Sequence, residues 1–228
     1  MPTITRLERQ KRNPERVNVY LDGEFSFGLP EIDAARLKRG QLLTEAEVVL
    51  LCNQDAISKA YEAGLRLLTT RPRSSDEIRR ALQQRQIPDE VIEAALERLN
   101  QQGYVDDAAF VRFWIENRTQ FKPLGVRALR YELRQKGVPN SIVDEALAEL
   151  PDDEEADLAY RALLPRLRRL RGQSQREVQQ QLYAFLQRRG FSPSMSREAL
   201  KRLIQEVQDQ DPDFFQDHDA STLSDTED

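Results

Sequence analysis

One cysteine (Cys52) and one histidine (His218) are all that the 228 residues contain of either type. A disulfide within the chain is thereby impossible, and a Cys/His zinc site is excluded. There is no run of the roughly 20 apolar residues that cross a bilayer. The start, Met1-Pro2-Thr3-Ile4-Thr5-Arg6, lacks the apolar core of a secretory signal. A cytoplasmic protein without membrane contact is the default expectation. Glycines number only nine, and the phosphate-cradling pattern that ends in Gly-Lys-Ser/Thr is missing. Catalysis thus lacks its usual materials. His218 lies in an acidic stretch with nothing to orient it. Cys52 follows Leu50 and Leu51 with no histidine near, which fits a buried thiol better than a nucleophile. The Asp106-Asp107 pair precedes a helical pattern, where N-capping is a simpler role than metal ligation. We expect no enzyme, no cofactor and no metal.

What is present favours a folded, helix-rich chain with a large wet surface: 39% of residues are hydrophobic and 32% charged, too apolar for wholesale disorder. The net charge of −5 misleads. Residues 209–228 hold eight carboxylates and no Lys or Arg; without them 34 basic residues face 31 acidic ones, and the remainder is +3. A mildly basic folded part and an acidic, disordered tail over 209–228 follow. Phe214-Phe215 within that tail is either a docking element or simply solvated.

Residues 1–30 read as β-structure. Val17, Val19 and Leu21 alternate with Asn18, Tyr20 and Asp22, a second run spans Glu24 to Phe27, and Ile4 to Leu7 offers a third strand. A two-residue turn at Asp22-Gly23 would set Val19 and Phe25 on opposite faces. A three-residue loop, Leu21-Asp22-Gly23 with Gly23 left-handed, pairs Val19 with Phe25 and Val17 with Phe27, and is the expected form. From about residue 31 the periodicity is helical. Thr44 and Glu47 outline a capping box for a helix running to about Leu68, weakened at Gly64.

Internal repetition is the strongest signal. Ile78, Leu82, Ile87, Pro88, Val91, Ile92, Leu96 and Leu99 recur 51 residues later as Leu129, Leu133, Val138, Pro139, Ile142, Val143, Leu147 and Leu150. A further 53 residues on they become Leu182, Leu186, Phe191, Ser192, Met195, Ser196, Leu200 and Leu203. Each unit holds three helices. The first helices fall at about 55–68, 106–119 and 154–170, and the second at about 75–85, 124–136 and 175–189. The third fall at about 88–100, 139–149 and 194–207. Pro88 and Pro139 open third helices, while Gly137 and Gly190 close second ones. Gln86 stands at the equivalent point of repeat one, so its turn should be strained or differently shaped. Carboxylates of Asp152 to Glu155 should cap the first helix of repeat three. One such unit buries little alone, and three in series build an elongated, curved solenoid. The division is 1–50 for the β-rich extension with a short helix, 51–105, 106–151 and 152–208 for the repeats, and 209–228 for the tail. The fold class is mainly α with a small N-terminal β-meander.

Basic residues supply the candidate sites. Arg71 and Arg73 bracket Pro72 before the second helix of repeat one, and Arg79 lies within it. In repeat two Arg127, Arg130 and Arg134 form one stripe at i, i+3 and i+7, beside the apolar stripe of Val126, Leu129 and Leu133; Lys122 precedes this helix and Lys136 ends it. Repeat three has Arg166, Arg168, Arg169 and Arg171 in succession. One basic position recurs in every unit, as Arg85, Lys136 and Arg189, and helix-dipole complementation explains it without any partner. The stripe and the cluster exceed what dipoles require. A solvated face and an anionic partner both account for them. Aromatics seldom alternate with this charge, so a base-stacking platform is not expected. Trp114, near Phe110 and Phe113, fits a helix packed between repeats.

With Arg71-Pro72-Arg73-Ser74, Ile87-Pro88, Gly103-Tyr104-Val105-Asp106-Asp107 and Lys136-Gly137-Val138 in this order, the chain resembles the RecX regulatory proteins, which modulate the RecA recombinase. The likeness rests on Arg71-Pro72-Arg73-Ser74, Glu77-Ile78, Leu82, Ile87-Pro88 through Ile92, Leu99, Gly103-Tyr104-Val105-Asp106-Asp107 and Phe110. It continues through Gly125 to Leu133 and Lys136-Gly137-Val138, and covers roughly residues 55–208. Gln86, where the family often has Gly, and the acidic tail depart from it. The resemblance implies a regulator, usually an inhibitor, lying in the groove of the RecA–DNA filament. There it curbs ATP hydrolysis, strand exchange and co-protease activity in the SOS response, and so bears on DNA repair and recombination. RecA is the implied partner, with contact to single- or double-stranded DNA and a monomeric state expected. Charge placement, and not the resemblance, nominates Arg71, Arg73, Arg79, Lys122, Arg127, Arg130, Arg134, Lys136, Arg168 and Arg169. A stand-alone DNA-binding helical-repeat protein is the alternative, opposed by the modest +3.

Overall fold

The computed structural model describes residues 1–11 and 13–216, with Asp152, Asp153 and Glu154 described in backbone only. The chain divides into two compact units after Asp106. The first opens with a three-stranded antiparallel meander, β1 (Ile4–Arg9), β2 (Arg16–Leu21) and β3 (Glu24–Pro30), in the order β1-β2-β3. A single turn of helix, α1 (Glu31–Ala34), leads toward the long α2 (Glu45–Leu68). Alternation puts Ile4, Val17, Val19, Leu21, Phe27 and Leu29 on one buried face, against which Val48 and Leu51 of α2 pack.

The hairpin departs from the expected three-residue loop. Leu21 pairs with Glu24, leaving Asp22 and Gly23 as a two-residue turn with φ of 48° and 96°. Parity is restored further along, where a bulge lets Val19 face Phe27 and Val17 face Leu29. Phe25 is accordingly turned outward, 56% exposed, with its ring 5.9 Å from that of Tyr20.

Beneath the sheet lies a buried ionic cluster. Arg16 is only 5% exposed; it bonds Asp55 and, at 2.8 Å, Glu62, both on α2. Lys59 reaches Asp55 from solvent at 2.7 Å. The cluster joins the sheet to the middle of α2, and the remainder of that helix belongs to the first repeat. With α3 (Ser75–Gln83) and α4 (Asp89–Gln101) it encloses Ala60, Ala63, Ile78, Leu82, Ile92 and Leu99. A side chain at Gly64 would collide with Leu99 at 2.7 Å, so this glycine lets α4 approach α2 closely.

In the second unit, α5 (Asp107–Phe121), α6 (Val126–Gln135) and α7 (Asn140–Ala148) form repeat two, and α8 (Asp152–Leu167), α9 (Gln175–Arg188) and α10 (Pro193–Gln210) form repeat three. Each has its own apolar core. Caps start the helices where local sequence says they should. Thr44 and Glu47 make a reciprocal box, as do Ser174 and Glu177, while Ser74 accepts from the Glu77 amide. The two serines that interrupt the template are also explained. Ser192 caps α10 by accepting from Met195, and buried Ser196 accepts from Gln187 at 3.0 Å.

The turn between second and third helices has the same left-handed residue each time: Gln86 at φ 60°, Gly137 at 72° and Gly190 at 81°. Repeat one thus keeps the shared turn and carries strain at Gln86.

Three expectations need correction. Cys52 is exposed and belongs to neither the sheet core nor that of repeat one. Its thiol is pushed above its ordinary pKa by partial burial and by Asp55, the reverse of an activated nucleophile. The stretch read as tail begins as folded chain. α10 continues to Gln210, Phe214 is buried beside Phe215 on the repeat-three core, and Gly172 N–H donates to the Phe214 carbonyl at 3.0 Å. Two aromatic rings have enough apolar area to hold these residues down despite their acidic neighbours. Residues 217–228, including His218, lie outside the described residues. So do the capping side chains expected of Asp152, Asp153 and Glu154. The third is Trp114, expected between repeats, which packs partly buried against the core of repeat two.

Candidate nucleic-acid and protein interface

The ten nominated cations divide by what they touch. In the first unit, Arg71 lays both guanidinium nitrogens on Glu77 at 2.9 Å, one carboxylate–guanidinium fork across the start of α3. Arg73 donates to the Leu67 carbonyl at 3.0 Å and so closes the C-terminal end of α2. Arg79 forks onto Glu93 at 2.7 and 3.1 Å and reaches Asp76 at 3.3 Å. Arg71 and Arg79 are therefore neutralised in place, and their pKa values rise because the facing carboxylates favour the charged form.

Arg130 repeats the Arg79 contact 51 residues on. Its Nε donates to Asp144 on α7 at 2.9 Å, so the second and third helices of repeats one and two are clasped alike. The stripe of three arginines thus loses its middle member. The two outer ones differ in kind, because their partners are neutral. Arg127 donates to the Gln187 carbonyl at 3.3 Å, and Arg134 to the Asn140 amide oxygen at 2.9 Å. Both keep an uncompensated charge at an exposed position.

Between them on the same face stands Tyr131, 65% exposed. Arg127, Tyr131 and Arg134 lie at i, i+4 and i+7, so an aromatic ring is flanked by cations on one line of α6. This qualifies the expectation that aromatics do not mix with the charge. The signal was present in the numbering but is hidden by the closer Arg127, Arg130 and Arg134 spacing. Lys122, Arg168 and Arg169 are exposed, and among the described residues none of them has an ion pair.

The recurring basic position behaves differently in each unit. Arg85 is exposed. Lys136 lies 4.8 Å over the Trp114 ring, which Arg118 also covers at 4.2 Å. Glu132 accepts from Trp114 Nε1 at 2.9 Å and from Arg118 at 2.7 Å. Arg189 shares the Phe185 ring with Arg166, and its pKa is lowered by burial first and by the Arg166 charge second. Two like charges share one ring, and the Glu132 carboxylate offsets part of their repulsion.

What positions α6 is a junction between repeats two and three. Gly125, its N-cap, donates to the Arg189 carbonyl at 3.0 Å, and Arg127 N–H donates to the Gly190 carbonyl at 3.3 Å. Val126 N–H points to Glu155 at 3.4 Å. Helix α6 thus has its orphan donors satisfied by the carbonyl end of α9 and by a carboxylate. A side chain at Gly125 would stand 2.3 Å from the Phe191 nitrogen, and one at Gly190 would stand 2.4 Å from that of Ala128. The backbones can meet only through glycine.

Among the described residues no group of three His, Cys, Asp or Glu side chains is placed to hold a metal, and no helix is long and apolar enough to cross a membrane. The chain matches family models described as the RecX N-terminal domain over residues 2–43 and the first, second and third RecX three-helix domains over 60–99, 106–147 and 152–200. It is 30% identical to a regulatory protein RecX of Bacillus pumilus over 204 residues, covering 88% of this chain and 77% of that one. With a regulatory protein RecX of Limosilactobacillus reuteri it shares 31% identity over 96% of this chain and 81% of the other. A crystal structure of regulatory protein RecX superposes with a TM-score of 0.73 at 31% identity, over 86% of this chain and 98% of that one. Four family domains in order, and relatives matched over most of their length, establish that the chain belongs to the RecX family of regulatory proteins.

Proposed function

We propose that this protein is a non-enzymatic regulator, in the usual sense an inhibitor, of RecA recombinase. It binds in the groove of the RecA–DNA filament and modulates the filament's ATPase, strand-exchange and SOS co-protease activities. Family membership supports the regulatory role. The observation that carries the contact assignment is the α6 line Arg127–Tyr131–Arg134, where two guanidinium groups with neutral partners flank an exposed ring. Arginine held by a carbonyl or an amide keeps its charge for phosphate and can still rotate into a bidentate contact. A tyrosine between such cations offers a face on which a base can stack, worth ~1–3 kcal/mol in comparable settings. Arg71, Arg79 and Arg130 are poor candidates by the same reasoning, since a partner would first have to displace Glu77, Glu93 or Asp144.

The test is the DNA-dependent ATPase rate of RecA with this protein titrated in below stoichiometry. Inhibition by the wild type, weakened in an Arg127→Ala/Tyr131→Ala/Arg134→Ala variant of unchanged helix content, is the expected result. No effect of the wild type retires the function. Equal inhibition by the variant retires the site alone. A salt-dependent shift of naked duplex DNA at nanomolar protein, without any effect on RecA, would favour a stand-alone DNA-binding role.

A further inference from the structure

The clasp between second and third helices is missing from repeat three. Positions equivalent to Arg79 and Arg130 carry Tyr183, and positions equivalent to Glu93 and Asp144 carry Arg197. An attractive pair is replaced by an aromatic ring and a cation. Both line a groove of about 600 Å³ between α9 and α10, where half-buried Tyr183 lies beside the largely buried Leu200 and Ile204. Arg197 and Lys201 border it, no lining residue is acidic, and among the described residues neither cation is ion-paired.

The chain approaches this groove at one end. Gln216 N–H donates to the Gln173 carbonyl at 3.2 Å, two residues before Gln175. Gln175 lines the groove and accepts from Gln208, another lining residue, at 3.1 Å. Beyond Gln216 come twelve residues with five carboxylates, Leu223 and no Lys or Arg. Fully extended, twelve residues reach roughly 40 Å. The groove from Gln208 back to Arg197 is eleven helical residues long, or roughly 16 Å.

We propose that residues 217–228 dock in cis in the α9–α10 groove, setting carboxylates against Arg197 and Lys201 and Leu223 against Tyr183, Leu200 and Ile204. Tethering supplies an effective concentration in about the millimolar range, so even a weak contact is populated. Docked, the segment withdraws these two cations from any polyanion in solution. The inference stands independently of the RecA reading.

Paramagnetic broadening tests it on the full chain. Cys52→Ser removes the exposed native thiol, and Ser221→Cys accepts a nitroxide. The expected result is loss of the Tyr183, Lys201 and Gln205 amide signals, and their recovery at high salt and in an Arg197→Glu/Lys201→Glu variant whose helix content is unchanged. Three outcomes overturn the proposal. One is no broadening at those amides, and another is broadening confined to the Arg127–Arg134 face. The third is broadening seen only when label and observed amides reside on different molecules, which would make the contact intermolecular.

Discussion

Replacing Gly125 by alanine adds one methyl group where two backbones touch. At φ −76° the residue has ordinary geometry, so the penalty is steric and not conformational. The new carbon would lie 2.3 Å from the Phe191 nitrogen and 2.4 Å from the Gly190 carbonyl atoms. The α9–α10 turn must retreat by about 1 Å to reach ordinary contact. Retreat stretches the Gly125 to Arg189 and Arg127 to Gly190 hydrogen bonds, now 3.0 and 3.3 Å. Overpacking of this kind costs about 1–3 kcal/mol, and each hydrogen bond lost adds roughly 0.5–1.5 kcal/mol. The lower entropy of the unfolded alanine chain returns about 0.4–1 kcal/mol. A net loss of about 2–4 kcal/mol follows for the second unit, lowering its melting temperature by roughly 10 °C or more. Trp114 is the sole tryptophan and lies in repeat two, so its fluorescence during urea unfolding reports that unit. Gly40→Ala is the comparison, with φ 85° but nothing within 4 Å, and should cost only about 1 kcal/mol in the first unit. A Trp114 transition at the wild-type midpoint in Gly125→Ala would refute the idea that glycine is required at the junction.

Two further outcomes follow from ion pairs in the first unit. Arg16→Leu strands Asp55 beneath the sheet with only the solvent-side Lys59, and should destabilise by about 3–5 kcal/mol, as broken buried pairs do. The Arg16→Leu/Asp55→Leu double variant should recover most of that in thermal unfolding followed by circular dichroism; a single variant as stable as wild type would remove the cluster's structural role. Arg79, by hydrogen bonding first and charge second, holds the Glu93 carboxyl below its ordinary pKa. A depressed acid contributes stability above its unfolded pKa and loses it as pH falls through the folded value. Because Glu93 is largely exposed the effect is small, about 0.2–1 kcal/mol, and Glu93→Gln should remove that part of the acid-side decline in melting temperature. An unchanged pH profile would show the Arg79–Glu93 clasp to be energetically idle.

Much of the fold is legible along the chain because its determinants are local. A helix start needs a hydroxyl and a glutamate three residues on, which Thr44 and Glu47 supply within one turn. The threefold apolar template is legible for the same reason: spacing of 3–4 residues turns Ile78, Leu82, Leu129, Leu133, Leu182 and Leu186 to the inside whatever the neighbours are. Even the strain at Gln86 follows from reading one turn against its two copies. The hairpin marks the edge of that logic. Two strands and a turn were predictable, yet whether the turn or the strand absorbed the odd residue depended on packing Phe27 beneath the sheet.

The candidate site lies almost wholly beyond that edge. Arg127, Arg130 and Arg134 look alike in sequence, and only the fold separates the one facing Asp144 from the two facing neutral oxygens. Asp144 is 14 residues from Arg130, and Gln187 is 60 from Arg127. Phe214 and Phe215 share the lesson, since the aromatic pair found its place against residues of repeat three that acidic composition does not reveal. Local bonding rules decide where helices begin and which face turns inward. Which charge survives on the surface is decided by partners that the chain brings close only after the repeats have packed.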